Sequence, residues 1–69
     1  MTTWIVADAD HLGGSPRVRN TRISVALILE CLAAEMTIAE IVDAYPSLSV
    51  ESVRGTLLEL SFRQELVLA

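Results

Sequence analysis

Thr37-Ile38-Ala39-Glu40-Ile41-Val42-Asp43-Ala44-Tyr45-Pro46-Ser47-Leu48-Ser49 is the stretch whose reading settles the fold class. Thr37 followed three residues later by Glu40 is a capping box, in which a hydroxyl and a carboxylate satisfy each other's free backbone N–H groups at a helix start. Ile38, Ile41, Val42 and Tyr45 then share one helical face, with Glu40 and Asp43 turned to water. Pro46 stops this helix at about Tyr45, because proline disfavours helical geometry in the residue before it. Ser49 is a good N-cap for the next helix, and Glu51 in its first turn suits the helix dipole. Two helices joined by Pro46-Ser47-Leu48 have the lengths and short turn of a helix-turn-helix, a pattern that many small bundles share.

Working outward toward the C-terminus, Val50, Val53, Leu57 and Leu60 are expected on the core face of the third helix, and Leu58, Phe62 and Leu66 on a second apolar stripe at a spacing of four. Glu51, Ser52, Arg54, Thr56 and Glu59 are expected on its exposed face. Gly55 weakens the helix locally and marks a place where another backbone passes closely. Toward the N-terminus, Ser24 caps a first helix running to about Glu35. That helix is apolar nearly all round, with Val25, Ile28, Leu29 and Leu32 on one face and Leu27, Cys31 and Ala34 on the other. Such a helix is buried on several sides. Before it, Trp4–Ala7 reads as a short strand, Gly13-Gly14-Ser15-Pro16 as a turn, and Arg17–Ile23 as a tight hairpin or extended arm around Asn20-Thr21. The expected architecture is mainly α: residues 1–69 as one three-helix, helix-turn-helix domain, with a β arm over 1–23 and a helical core over 24–69.

Composition bounds the function. A chain of 69 residues is one domain and is marginally stable alone. With 52% hydrophobic residues it holds more apolar surface than so small a body hides, which points to a dimer or partner interface. The net charge is −4 and there is no lysine, which counts against strong non-specific nucleic-acid binding. Cys31 alone allows no internal disulfide. No basic-then-apolar leader and no run of membrane-spanning length is visible, so a cytoplasmic protein is expected.

The run Gly13-Gly14-Ser15-Pro16-Arg17-Val18-Arg19-Asn20-Thr21-Arg22-Ile23-Ser24-Val25, followed by Ile28-Leu29-Glu30, Glu40-Ile41 and Tyr45-Pro46-Ser47-Leu48, resembles the domain-of-unknown-function family 433. The Thr-Arg-Ile and Tyr-Pro-x-Leu elements carry the resemblance, which covers residues 10 to about 60. It implies a homeodomain-like helix-turn-helix fold. It also implies the antitoxin role of a bacterial toxin–antitoxin pair, with a PIN-like ribonuclease toxin as partner and operator DNA as a second one. Two positions depart from the family pattern. Asn20 stands where glycine is usual, and asparagine permits the same backbone. Glu35 stands where glycine often closes the first helix, which removes the favoured cap and sets a negative charge near the helix C-terminus.

Two kinds of site follow, each with a plainer alternative. Arg17, Arg19 and Arg22 could form a DNA-contacting arm, as in homeodomains, with Arg54 the one base-reading side chain on the third helix. Alternatively they are solvated or pair with carboxylates. Trp4, Leu27, Cys31, Leu58, Phe62 and Leu66 are the candidate protein interface, used by a homodimer or a toxin. Alternatively they complete the core. Asp8, Asp10 and His11 are too few and too loosely spaced for a metal site and read as a polar loop. Lone Cys31 on an apolar helix lacks a base, and no cleft for paired carboxylates is foreseen. Neither an enzyme nor a cofactor or small-molecule substrate is expected. Antitoxin, stand-alone DNA-binding regulator and pure protein-interaction module remain the three functional classes.

Overall fold

A computed structural model describes residues 3–8 and 12–63. The elements are β1 (Ile5–Val6), β2 (Arg17–Val18), α1 (Val25–Ala33), α2 (Ile38–Ala44) and α3 (Val50–Ser61). The chain is mainly helical with a short antiparallel strand pair at its N-terminal end, as expected.

The strands pair Ile5 with Val18 and Val6 with Arg17. Strands of two residues do not hold themselves together; this pair persists because Ile5 and Val18 are both buried. Between them a single 3₁₀ turn at Leu12–Gly14 places Gly13 and Gly14 at φ 61° and 88°, left-handed backbone that glycine adopts without steric cost.

After β2 the chain reverses tightly. The Val18 N–H donates to the Ile23 carbonyl at 2.9 Å and the Thr21 N–H to the Val18 carbonyl at 3.1 Å. The Thr21 hydroxyl donates to the Val18 carbonyl at 2.8 Å and accepts from the Ile23 N–H at 3.0 Å. Asn20 takes φ 64°, the left-handed geometry that glycine supplies most readily. The Thr-Arg-Ile element is therefore a folding device: Thr21 ties the turn, Ile23 packs on the core, and Arg22 is left outside.

Ser24 caps α1 by accepting from the Leu27 N–H at 3.0 Å. The helix stops at Ala33, slightly short of the expected Glu35. The Glu35 N–H donates to the Leu32 carbonyl at 2.9 Å and the Met36 N–H to the Cys31 carbonyl at 3.1 Å. This is a Schellman closure with Glu35, at φ 66°, in the left-handed position. The closure normally made by glycine survives the substitution.

The capping box of α2 forms on both sides. The Glu40 N–H donates to Thr37 Oγ1 at 3.1 Å, and the Thr37 N–H to Glu40 Oε1 at 2.8 Å. Tyr45 closes the helix before Pro46. Leu48 in the link is buried, which pins α3 against α2.

The core proper comprises Val18, Ile28, Cys31, Ile41, Leu48 and Val53, with Leu27 and Ile38 among the half-buried residues packed on it. Ile5, Val25 and Leu60 form a second cluster, and Leu57 touches both. Two expectations are corrected here. Cys31, expected on an interface face of α1, is buried in the core of the single chain together with Ile41 of α2, Leu48 of the link and Val53 of α3, and Leu27, expected beside it, is half-buried and packs on that core. The rotation of α3 also differs. Ser52 and Thr56, expected in solvent, are buried, whereas Val50, expected in the core, is 47% exposed. Ser52 spends its hydroxyl on a second capping box with Ser49, at 2.9 and 3.0 Å. Leu29, on the apolar face of α1 that also carries Val25 and Ile28, is 38% exposed. No helix among the described residues is long and apolar enough to cross a membrane.

Candidate interaction surface

Trp4 lies just before β1 and is fixed from two directions. Its N–H donates to Glu59 Oε1 on α3 at 2.7 Å, and its carbonyl accepts from the Arg19 N–H at 2.7 Å. The indole packs on α3 at Gly55, one helical turn before Glu59. A Cβ at Gly55 would overlap indole Nε1, Cδ1 and Cε2. The close neighbour anticipated at this glycine is thus a side chain rather than a backbone. The Arg19 guanidinium lies over the ring, 4.7 Å from its centroid, in cation–π geometry.

Glu59 also accepts from Arg63 Nη2 at 3.0 Å. Burial pushes its pKa up, but the Trp4 N–H, the Arg63 side chain and the Ile5 N–H together outweigh that, and the carboxyl titrates below its ordinary range. Helical periodicity alone puts Glu59 in solvent, whereas it is half-buried. The signal that could have found its role is spacing: Gly55 and Glu59 sit four apart, on one face, so one offers room and the other an acceptor to the same neighbour.

Beside Trp4, the outer face of α3 forms an open groove lined by Val50, Glu51, Arg54, Gly55 and Leu58 among others. Val50, Arg54, Leu58 and Phe62 recur every fourth residue and are all exposed. Leu58 is 59% and Phe62 77% exposed. Phe62 is the cap residue just past the end of α3. Leu66, the third member of the expected stripe, lies outside the described residues, as do Asp10 and His11.

The four candidate DNA-contacting arginines are not equivalent. Arg17 pairs with Asp8 at 3.4 Å, and its side chain is only 12% exposed. Arg19 is half-buried on Trp4. Arg22 and Arg54 are exposed, the first on the turn after β2 and the second in the α3 groove. The continuous arm of three arginines expected before the first helix is therefore divided: Arg17 pairs with Asp8 and Arg19 lies on Trp4, both within the chain, and Arg22 on the turn is exposed. Asp8, considered for a metal loop, is one of those partners.

Comparison with known proteins finds one family model, described as "Protein of unknown function (DUF433)", matching residues 5–58. The matched span runs from β1 to Leu58, leaving Trp4, Glu59 and Phe62 outside it. The chain is similar to "Uncharacterized protein y4eO" of Sinorhizobium fredii (strain NBRC 101917 / NGR234), with 36% identity over 50 residues. Those residues are 72% of this chain but 23% of that protein, so the match spans less than a quarter of the relative's length. No solved structure matches.

Proposed function

The chain belongs to the DUF433 family, and from its surface we propose that it is an antitoxin-like protein, a non-enzymatic cytoplasmic component that binds and neutralises a PIN-like ribonuclease through the outer face of α3. The observation that carries this reading is the line of Val50, Leu58 and Phe62, whose apolar side chains contribute little to the chain's own core. An amphipathic helix that presents anchors at a spacing of four is a common way to seat on a partner. A large exposed aromatic beside an aliphatic residue is typical of the few contacts that dominate binding. The net charge of −4 complements the basic surface of a protein that handles RNA. Operator binding is less well supported, because only Arg22 and Arg54 of the four arginines stand free of the intrachain contacts that hold Arg17 and Arg19.

The test is co-expression with a PIN-like ribonuclease encoded beside this chain. The expected result is a complex that survives purification and suppresses RNA cleavage, and that is lost in the double variant Leu58→Asp, Phe62→Asp while circular dichroism stays native. Both residues are exposed, so the variant keeps its core. If the two proteins fail to associate even at low salt, the reading is wrong. Light scattering separates the competing use of the same face: a homodimer dispersed by these substitutions, with no ribonuclease bound, makes α3 a self-interface. Retention of DNA with no protein partner would instead select a DNA-binding regulator.

A further inference from the structure

On another part of the surface, the turn after β2 meets the link between α2 and α3 in a shallow dish lined by Arg17, Asn20, Thr21, Arg22, Ile23 and Ser47. We infer that this dish is a binding site for a phosphate group, with Arg22, Asn20 and Ser47 as its direct donors and Arg17 as a fixed positive charge in its wall. The inference is independent of the ribonuclease reading and uses none of its residues.

Charge is the first argument. The chain carries nine acidic residues against five arginines, yet this lining holds two of the arginines and no carboxylate. Asp8 pairs with Arg17 but does not line the dish. The pairing distance is 3.4 Å and the Asp8 side chain is 48% exposed, so solvent weakens its hold on the guanidinium charge. Arg17 Nε and Nη1 are buried and have no hydrogen-bond partner. These two nitrogens are too deep to touch a ligand. Their unmet polarity nevertheless leaves a positive potential in a low-dielectric wall, where it acts more strongly than in water.

Geometry is the second argument. The donors come from two chain segments whose backbone is held in place. Asn20 and Arg22 sit on a turn fixed by the Val18–Ile23 and Thr21–Val18 backbone bonds and by the Thr21 hydroxyl. Ser47 is anchored by its neighbour Leu48, which is buried and donates its N–H to the Tyr45 carbonyl at 2.9 Å. Asn20, Arg22 and Ser47 all expose their side chains. A guanidinium fork, an amide and a hydroxyl lining one dish suit a tetrahedral oxyanion with several acceptor oxygens, and a fixed backbone beneath them lowers the cost of binding.

The test is titration of the ¹⁵N-labelled protein with inorganic phosphate at constant ionic strength, using chloride and acetate as comparison anions. A short DNA duplex is titrated separately. Expected are saturable shifts of the Asn20–Ile23 and Ser47 amides with phosphate, and at most weak ones with the comparison anions. Arg22→Ala should weaken binding about tenfold or more, as a charge-assisted hydrogen bond predicts. Arg22→Lys should restore part of it, and the core amides should stay in place in both variants. Movement of the same amides by the duplex would make a nucleic-acid backbone the source of the phosphate; movement by phosphate alone would make it a free phosphate or phosphomonoester. The inference is overturned if no saturable shift occurs with phosphate or duplex, if acetate binds equally well, or if Arg22→Ala leaves the affinity unchanged.

Discussion

At the scale of single residues, Gly55 and Thr56 are neighbours with opposite lessons. In an isolated helix, alanine at position 55 would be favoured by about 1 kcal/mol over glycine. Here the indole of Trp4 occupies the space a Cβ needs. Gly55→Ala is therefore expected to lower stability by about 1–3 kcal/mol, the usual range for overpacking, and to shift Trp4 fluorescence toward that of a solvated indole. The same change in a Trp4→Ala background should become neutral or stabilising. A urea-denaturation double-mutant cycle measures that coupling, and additive effects would show that the indole does not rest on Gly55. Thr56 is fully buried, and its hydroxyl has no partner. Thr56→Val keeps the shape and removes the unmet polar group, so a gain of about 1 kcal/mol is expected in the same assay.

At the scale of elements, the helix ends are written locally and form as written. Thr37 with Glu40 and Ser24 with the Leu27 N–H are legible in the sequence because a cap needs only residues three apart. The closure of α1 is the revealing case. Glu35 occupies a left-handed position that costs a side-chain-bearing residue about 1–2 kcal/mol, and it sets a carboxylate at the negative end of the helix dipole. Glu35→Gly should raise the denaturation midpoint, with a net gain of about 0.5–1 kcal/mol after the larger unfolded-state freedom of glycine is counted. A loss of stability would mean that the Glu35 side chain does something the Schellman geometry does not require. The faces of the helices were less legible than their ends. Periodicity placed Val50 inside and Ser52 outside, and the fold does the reverse. An apolar residue at a helix start lies on the right stripe by spacing, but it is covered only if a neighbour reaches that far. A small polar residue can be buried wherever two backbones come close and its hydroxyl finds a local acceptor, as Ser52 finds Ser49.

At the scale of the whole molecule, the contact between Trp4 and Glu59 joins positions 55 residues apart and fastens the N-terminal strand to the last helix. Burial opposes the charge on Glu59, but the Trp4 N–H, Arg63 and the Ile5 N–H hold its folded pKa below the ordinary value. A depressed folded pKa contributes stability that is present above the unfolded pKa and lost as pH falls through the folded one. Stability should therefore drop on acidification below the ordinary glutamate range. Glu59→Gln, which keeps an acceptor oxygen but cannot titrate there, should show a shallower acid limb in denaturation measured across pH. An acid limb of unchanged slope would mean that Glu59 does not link the strand to α3 through its charge.

Where the chain turns, caps and stops is written in short stretches of its sequence. The capping boxes and the proline stop act over three or four residues, and the Thr-Arg-Ile turn closes within six, so their energies do not depend on the rest of the fold. The sequence also determined that the chain is mainly helical and belongs to its family. Which apolar residues are core and which are surface depends on how the elements pack in space. Cys31 is covered, and Leu27 half covered, by residues distant in sequence, while Leu58 and Phe62 on the outer line of α3 are not. Only the tertiary structure divided the arginines, stacking Arg19 on Trp4, pairing Arg17 with Asp8 and leaving Arg22 beside Ser47. The physical reason is common to both: burial and charge pairing are properties of distance in space, and a sequence pattern fixes distances only within the reach of one helical turn or one hairpin.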